Sequence, residues 1–177
     1  MQTLTPVQEL KSAIRDVPDF PKKGVIFKDI TPLLSDGRLF NDAVGLLSRP
    51  YTASHVHKVV AVEARGFIFG AAIAARLEAG FIPVRKKGKL PHTRIKESYE
   101  LEYGVDQLEI HQDAIVKGER VLLVDDLLAT GGTCDAVIKL IRRLGGEIVG
   151  CTFLIELTFL NGRKRLKDYP VTSLITY

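Results

Sequence analysis

The sequence has 177 residues, which suits one domain with a single core, and 46% of them are hydrophobic, which excludes a disordered chain. Its first twenty residues contain no apolar stretch of the signal-peptide type, and the richest apolar tract, residues 148–155, is far too short to span a bilayer. The formal net charge of +4 leaves nucleic-acid binding to be considered. We expect a cytoplasmic protein without a membrane partner.

The N-terminal part of the chain predicts two helices. A capping-box pattern with proline in the first turn opens a helix at Thr5. A second helix follows Gly37, where apolar residues recur at helical spacing until Pro50 stops it.

The middle and the end of the chain alternate between strand and helix patterns. Strands are predicted over residues 58–62, 81–84, 120–124 and 148–154, and helices over residues 67–77 and 132–144. This alternation predicts an α/β fold in which a mostly parallel, twisted sheet is flanked by helices on both faces. We find no repeat and no domain boundary, so we expect one domain over residues 1–177.

Residues 85–107 are too polar and too long for an ordinary connection in a compact domain, and they predict a functional lid. Tyr99, Leu101 and Tyr103 alternate with polar residues, as in a strand of a hairpin. Closed over a ligand, such a lid would exclude water. The alternative is a charged loop that is merely solvated.

The basic residues of the chain are densest in this lid, at Arg85, Lys86, Lys87, Lys89, Arg94 and Lys96. No recognition helix, zinc knuckle or aromatic RNA-binding sheet accompanies them. A substrate that carries several phosphates explains a basic lid equally well, so we expect no nucleic-acid partner.

Two cysteines, Cys134 and Cys151, do not have the spacing of metal ligands. Since thiols stay reduced in the cytosol, a disulfide is not expected. We expect both thiols to pack like small hydrophobic side chains.

Residues 121–133 are the most informative segment. Four apolar residues predict a strand covered on both faces, and Asp125 and Asp126 stand where that strand is expected to end. A turn of small residues then brings backbone NH groups together at a helix N-terminus, where an anion is favoured. This turn consists of Ala129, Thr130, Gly131, Gly132 and Thr133. The combination suits a sugar phosphate, and the alternative is an ordinary acidic turn with a helix cap.

The segment does not match the common nucleotide-binding motifs. A P-loop requires Ser or Thr after its Gly-Lys pair, and here Gly88-Lys89 is followed by Leu90. The chain also contains no G-x-G-x-x-G dinucleotide fingerprint.

Residues 121–133 resemble the phosphoribosyl-diphosphate signature of the type I phosphoribosyltransferases, in the form that acts on adenine. The resemblance continues, in the order of the family, at residues 20–30, 63–70, 85–91, 101–104 and 155–157. It implies the type I phosphoribosyltransferase fold, with an N-terminal helix and base-binding hood (residues 1–35) and a flexible lid (residues 85–107). It also implies transfer of the 5-phosphoribosyl group from phosphoribosyl diphosphate (PRPP) to adenine, with Mg²⁺ as cofactor and a homodimer as the assembly.

The resemblance further implies which residues hold PRPP. Asp125 and Asp126 would hold the ribose hydroxyls and stabilise positive charge near Mg²⁺, which is itself bound mainly through substrate and water. The turn 129–133 would bind the 5′-phosphate. The diphosphate would be held by Ala64, Arg65, Arg85, Lys86 and Lys89, and the peptide bond beside Ala64 is often cis in the family. An ordinary surface arginine is the alternative for Arg65.

For adenine, the resemblance implies recognition by the main chain of Ile26 and Lys28, with the ring between Phe27 and Leu127. A core aromatic is the alternative for Phe27.

Two lid residues complete the implied site. Glu102 would protonate or orient the imidazole side of the base, and Tyr103 would help to close the lid. A glutamate that faces solvent is the alternative for Glu102, since a catalytic acid needs surroundings that raise its pKa.

Two other functions are considered. Another purine as acceptor is the nearest, but an oxopurine presents a carbonyl where adenine presents an amine. A catalytically silent regulator that senses PRPP is the second, but this chain has no room for an added DNA-binding module.

Overall fold

A computed structural model of the protein describes residues 4–100 and 105–177. The chain separates into two compact units, one that ends at Leu46 and a second, Leu47–Tyr177. Among the helices in these described ranges, none is long and apolar enough to cross a membrane.

The N-terminal unit contains the predicted capping box. Thr5 Oγ1 accepts a hydrogen bond from the backbone NH of Gln8 at 3.3 Å, and Gln8 Oε1 accepts one from the backbone NH of Thr5 at 2.8 Å. The helix that follows and the helix after Gly37 are both confirmed, and the unit also has a short helix and an antiparallel strand pair. The elements are α1 (Pro6–Ser12), β1 (Arg15–Pro18), β2 (Ile26–Asp29), α2 (Thr31–Ser35) and α3 (Gly37–Ser48), whose last two residues are assigned to the second unit.

The second unit is built on a seven-stranded sheet in the order β5-β6-β4-β3-β7-β8-β9. The four pairings among β4, β3, β7, β8 and β9 are parallel, whereas β4–β6 and β5–β6 are antiparallel. The predicted mostly parallel sheet is therefore confirmed. Its strands are β3 (Lys58–Val62), β4 (Gly80–Lys86), β5 (Arg94–Glu100), β6 (Val105–His111), β7 (Arg120–Leu128), β8 (Glu147–Glu156) and β9 (Val171–Thr176).

Helices α4 (Arg65–Arg76) and α5 (Gly132–Arg143) cover opposite faces of this sheet. A Cβ atom on Gly70 of α4 would lie 2.6 Å from Cβ of Ala61, so α4 packs directly on β3 at that residue. The preceding residue, Val60, belongs instead to the core cluster that contains the apolar side of α5. Since successive strand residues point to opposite faces, the two helices lie on different sides.

Both cysteines are free thiols buried in that core cluster, as the sequence predicted. Burial raises the pKa of the Cys134 thiol well above its ordinary value. Burial also raises the pKa of the Cys151 thiol, to about 12.

Strand β7 does not end at the two aspartates, so the prediction of its end is wrong. The strand continues to Leu128, because Asp125 pairs with Phe153 of β8 and Leu127 pairs with Ile155. Backbone pairing places no demand on the side chains, and Leu128 is fully buried beyond the two carboxylates. Asp125 and Asp126 are therefore fixed by the sheet rather than by a turn.

Most of the predicted lid forms the edge of the sheet. Strands β5 and β6 make an antiparallel hairpin, which confirms the alternation around Tyr99 as a hairpin strand. Strand β6 continues the sheet from β4, where Lys86 pairs with Leu108. Leu101 and Tyr103, the other members of the alternation, lie outside the described residues.

Candidate active site

A cavity of about 370 Å³ lies at the carboxyl ends of β3 and β4 and beside Asp125 and Asp126 in the last part of β7, and we call it the cleft. The carboxyl ends of neighbouring parallel strands meet at one edge of a sheet, which is where ligands of open α/β sheets bind. Ten residues of the second unit line the cleft: Val62, Glu63, Ala64, Arg65, Lys86, Tyr99, Leu108, Asp125, Asp126 and Thr133. Six of the predicted site residues are thus brought together.

Two adjacent carboxylates and one guanidinium form the charged centre of the cleft. Asp126 is only 6% exposed, and its Oδ2 lies 2.8 Å from Nη2 of Arg65. Asp125 Oδ1 accepts a hydrogen bond from the backbone NH of Asp126 at 2.9 Å. Arg65 therefore pairs with a residue of the predicted ribose site and also lines the cleft.

Burial raises the pKa of both carboxyl groups. The pKa of Asp125 is raised well above its ordinary value by burial and then by the negative charge of Asp126. The pKa of Asp126 is also raised by burial, and the Arg65 guanidinium opposes that rise. Two such carboxylates favour a ligand that brings hydroxyl donors or positive charge.

Gly66, in the first turn of α4, allows Asp125 to take its position. A Cβ atom on Gly66 would lie 2.6 Å from Asp125 Oδ1, which is too close for any side chain. Sequence reasoning included Gly66 in the block of residues 63–70 but gave it no role. A glycine in the first turn of a helix was the available signal.

The connection from β3 to α4 contains the cis peptide bond that the resemblance implied, between Glu63 and Ala64. Ala64 is the N-cap residue of α4 and makes no side-chain capping hydrogen bond. The start of a helix favours an anion, and this one borders the cleft.

The turn 129–133 joins β7 to α5 and has a left-handed residue at its centre. Gly131, with φ +81°, precedes α5 as its N-cap and makes no side-chain capping hydrogen bond. Thr133 lines the cleft. Thr130 and Gly132 line a neighbouring cavity of about 390 Å³, whose remaining wall is Ser98, Tyr99, Asp135, Lys139 and Arg165.

Tyr99 lines both cavities and is a site residue that sequence reasoning did not assign. Its hydroxyl donates to Asp106 Oδ2 across the hairpin at 3.3 Å. The alternation of residues 98–103 indicated a hairpin strand, but it did not indicate which face would meet the cleft.

The turn rests on a short 3-10 helix, Gly162–Leu166. A Cβ atom on Gly131 would lie 2.7 Å from the carbonyl oxygen of Gly162, and one on Gly162 would lie 2.2 Å from the carbonyl oxygen of Ala129. Backbone therefore packs against backbone here. The Asn161-Gly162 pair is a turn signal in the sequence, but nothing in the sequence named its partner.

Of the three lid cations predicted to hold the diphosphate, Lys86 lines the cleft. Its Nζ lies 3.4 Å from Asp106 Oδ2. The guanidinium of Arg85 instead donates to Glu63 Oε2 at 3.2 Å and to the carbonyl oxygen of Lys89 at 3.3 Å. Neither Arg85 nor the exposed Lys89 is among the residues that line the cleft.

The residues predicted to contact adenine are divided between the two units. Ile26, Phe27 and Lys28 form most of β2 in the N-terminal unit, and Leu127 is a half-buried residue of β7. The ring of Phe27 packs edge-on against Phe20, with centroids 5.1 Å apart.

Two further features of β2 concern its side chains. Lys28 Nζ lies 2.6 Å from Asp16 Oδ1, and Ile26 is 57% exposed. If the main chain of Ile26 and Lys28 recognises adenine, neither side chain has to move for the base to bind. Glu102 and Tyr103 lie outside the described residues.

No group of three or more histidine, cysteine or acidic side chains that could hold a metal occurs in the part of the chain that the structure describes. Asp125 and Asp126 alone are too few ligands for a divalent cation. A cation at this place would therefore need oxygen ligands from a bound molecule and from water.

A family model of the phosphoribosyl transferase domain matches residues 38–176. Adenine phosphoribosyltransferase of Myxococcus xanthus is 57% identical over 173 residues, which cover 98% of this chain and 94% of the relative. Adenine phosphoribosyltransferase of Geobacter metallireducens is 59% identical over 171 residues, 97% of this chain and all of the relative.

Solved structures give the same answer for the fold. Adenine phosphoribosyltransferase from Thermoanaerobacter pseudethanolicus aligns with a TM-score of 0.94 and 53% identity, covering 97% of this chain and 99% of that one. The Saccharomyces cerevisiae adenine phosphoribosyltransferase, complexed with an imino-altritol bisphosphate and adenine, aligns with a TM-score of 0.91 and 39% identity, over 96% and 98% of the two chains.

Proposed function

This chain belongs to the phosphoribosyl transferase family and, within it, to the adenine phosphoribosyltransferases, and from this premise we propose that its cleft transfers the 5-phosphoribosyl group of PRPP to adenine. The products are AMP and diphosphate, so the reaction is a step of purine salvage. The observation that carries the proposal is the pair of half-buried Asp125 and buried Asp126, which is separated from the turn 129–133 only by Leu127 and Leu128 and lies beside Arg65 in one cleft.

The two carboxylates stabilise the sugar during the transfer. Breaking the bond between the anomeric carbon and the diphosphate leaves positive charge on the ribose ring, and fixed negative groups in a buried site stabilise that charge. Asp126 is held by Arg65, and Asp125 by the backbone NH of Asp126. Both are therefore oriented before the substrate arrives.

The 5′-phosphate binds the turn 129–133. Its backbone NH groups and the start of α5 supply donors and a favourable dipole, and Thr130 and Thr133 add hydroxyls. Because this turn comes directly after β7, the strand that carries Asp125 and Asp126, one short connection positions both the phosphate and the ribose.

The diphosphate binds on the other side of the cleft. Ala64, Arg65 and Lys86 line the cleft there, and the proposed donors are the main chain of Ala64, the guanidinium of Arg65 and the ammonium of Lys86. Arg85 and Lys89 join them in our proposal when the lid closes, since Arg85 would have to exchange Glu63 for a phosphate. The double donor of a guanidinium suits such an exchange.

Mg²⁺ fits this arrangement as part of the substrate complex, near Asp125 and Asp126. It would be held mainly by PRPP oxygens and water, because the described residues supply too few ligands. When bound, it neutralises charge on the leaving diphosphate. The residues of the chain do the rest: they orient the sugar, hold the phosphates and exclude water.

Adenine is bound in our proposal by β2, through the main chain at Ile26 and Lys28, with Phe27 and Leu127 on the two faces of the ring. A pocket that accepts from the amine of adenine leaves polar groups unpaired when an oxopurine enters. A competition assay of adenine against hypoxanthine and guanine tests the assignment. Preference for either oxopurine would contradict it.

Glu102 is proposed to act on the imidazole side of the base. Glu102→Gln should lower turnover with little change in substrate affinity, because the loss falls on the transition state. Single-turnover rates equal to those of the parent protein would remove Glu102 from the mechanism.

We further propose that the protein works as a homodimer in the cytoplasm, as the family resemblance implies. Light scattering at working concentration tests the assembly, and a monomer would contradict it.

A further inference from the structure

A network of side chains fastens the 3-10 helix Gly162–Leu166 to the ends of β8 and β9. Arg163 donates from Nε to Glu156 Oε1 at 3.0 Å, its Nη2 pairs with Glu156 Oε2, and its Nη1 donates to the carbonyl oxygen of Val171 at 2.9 Å. Ser173 Oγ donates to Glu156 Oε2 at 2.7 Å. Glu156 is only 5% exposed, so its carboxylate is fully committed to these partners.

This network borders the turn 129–133 on two sides. Glu156 pairs with Leu128 in the sheet, and the backbone NH of Leu157 donates to the carbonyl oxygen of Leu128 at 2.9 Å. Gly162, the neighbour of Arg163, is in backbone contact with Ala129 and Gly131. The ion pair between Arg163 and Glu156 thus joins the two ends of the segment 156–163. One end of this segment pairs with Leu128, just before the turn, and the other end contacts Ala129 and Gly131 within it.

Backbone contacts transmit small displacements, because neither partner can rotate away as a long side chain can. A shift of Gly162 would move the carbonyl of Ala129 and the left-handed Gly131, and with them the turn that is proposed to bind the 5′-phosphate. Arg163 itself lies outside the cleft and outside the neighbouring cavity lined by Thr130 and Gly132. Its effect on a ligand would therefore be indirect.

We infer that Arg163 is a positioning residue: its ion pair with Glu156 holds Gly162 against the turn 129–133 and so sets the affinity for the 5′-phosphate of the substrate. This inference rests on the proposed function of the turn as the 5′-phosphate site. We expect the effect to differ between two ligands, because Arg65 and Lys86, which border the diphosphate side, pair with Asp126 and Asp106 outside the 3-10 helix.

The test measures binding of ribose 5-phosphate and of inorganic diphosphate by calorimetry. Arg163→Ala should weaken ribose 5-phosphate by about tenfold and leave diphosphate within about twofold. Arg163→Lys keeps the charge but loses the fork of donors, so it should give an intermediate loss. Lys164→Ala is the matched control, since it removes a neighbouring cation of the same 3-10 helix and should bind like the parent protein.

The outcomes separate the possible roles of Arg163. Unchanged affinity of Arg163→Ala for ribose 5-phosphate overturns the inference, and so does an equal loss of both ligands, which would indicate a general structural defect. The inference is also overturned if Lys164→Ala loses as much affinity for ribose 5-phosphate as Arg163→Ala does, because the loss of a nearby positive charge would then be the cause. If Arg163→Ala does not fold, Arg163→Lys and Glu156→Gln carry the same comparison.

A further variant separates this inference from the proposed function. Gly131→Ala disturbs the turn directly, because the residue has φ +81° and no space for a Cβ atom. Its affinity for ribose 5-phosphate should fall further than that of Arg163→Ala. If Gly131→Ala binds ribose 5-phosphate like the parent protein, the turn is not the 5′-phosphate site and the proposed function of the turn fails.

Discussion

The two sides of the cleft are built in different ways. On the side of β7 and α5, the proposed binding groups are the half-buried Asp125, the buried Asp126 and backbone NH groups, and Gly131 is packed against the backbone of another segment. On the side of β4 and the β5–β6 hairpin, they are long cationic side chains, such as Lys86, whose side chain is 59% exposed. One side is fixed by the fold, and the other can rearrange.

This difference matches what each side is proposed to hold. The ribose and its 5′-phosphate have to be positioned accurately for bond formation, so rigid groups are favoured. The diphosphate has to be bound and then released, and exposed ion pairs such as Lys86–Asp106 exchange partners at little cost in free energy. Substitutions on the rigid side should therefore have larger effects than substitutions on the side of the hairpin.

Asp125→Asn should have the largest effect on catalysis. Removing the carboxylate should lower kcat/KM by about 100-fold or more, because fixed charge next to the reacting sugar is lost. Steady-state kinetics with adenine and PRPP measure this. A loss of less than tenfold would break the comparison, since the rigid side would then matter no more than the hairpin.

The same substitution should raise stability at neutral pH. The pKa of Asp125 is higher in the folded protein than in the unfolded chain, so the folded state favours the protonated carboxyl group. The stability that this group contributes is therefore fully present below its pKa in the unfolded chain, and it is lost as the pH rises through its pKa in the folded protein. Asparagine has no charge to bury at neutral pH. The Asp125→Asn variant should therefore melt at a higher temperature at pH 7, and its melting temperature should depend less on pH. Asp113→Asn, at an exposed position, is the matched control.

Gly66→Ala should have the second-largest effect on catalysis. The added Cβ atom would lie 2.6 Å from Asp125 Oδ1, so the carboxylate has to move. We expect a loss of about tenfold or more in kcat and of about 1–3 kcal/mol in stability. Gly37→Ala, where nothing lies within 4 Å of the new Cβ atom, is the control for a helical glycine. Equal behaviour of the two variants would show that Asp125 tolerates displacement.

Arg65→Lys should have an intermediate effect, because Arg65 belongs to both sides of the cleft. Lysine keeps the charge near Asp126 but lacks the planar fork of parallel N–H donors that fits a diphosphate. We expect KM for PRPP to rise by about tenfold. Arg76→Lys, in the last turn of the same helix, should match the parent protein. A rise in KM for adenine alone would argue against a role on the diphosphate.

Lys86→Ala should have the smallest effect. KM for PRPP should rise only a few-fold, about threefold at low salt, and the difference should shrink as added salt screens the exposed charge. The parallel variant Lys96→Ala removes an exposed cation of β5 that does not line the cleft. A large, salt-independent loss in Lys86→Ala would show that the hairpin side is as rigid as the turn.

Much of the fold was predictable because single elements carry their own pattern. Strand β3 was predicted with its observed bounds, and α5 was predicted to within one residue. The end of β7 was not, because carboxylates are common in turns and the pairing that carries the strand through Asp125 comes from Phe153, far along the chain.

The site shows the same division between local and distant information. Ala64, Arg65, Asp125, Asp126 and Thr133 follow from strand ends and from the resemblance, and the fold brings them together. The close approaches of Gly66 and Gly162 depend on what lies opposite, and a single sequence does not contain that information. For the same reason, the arrangement of Arg85 with Glu63 was not predicted.

Chemical labelling of the two buried thiols can measure how often the structure around the cleft opens. Cys134 lies in the first turn of α5, directly after Thr133, and Cys151 lies in the middle of β8. Thiols with raised pKa values that are closed to solvent react with alkylating reagents only when the surrounding structure opens. The rate at which Cys134 is labelled therefore reports how often the helix start beside the turn comes apart, and a bound ligand that slows the labelling reveals the free energy it adds to that one element.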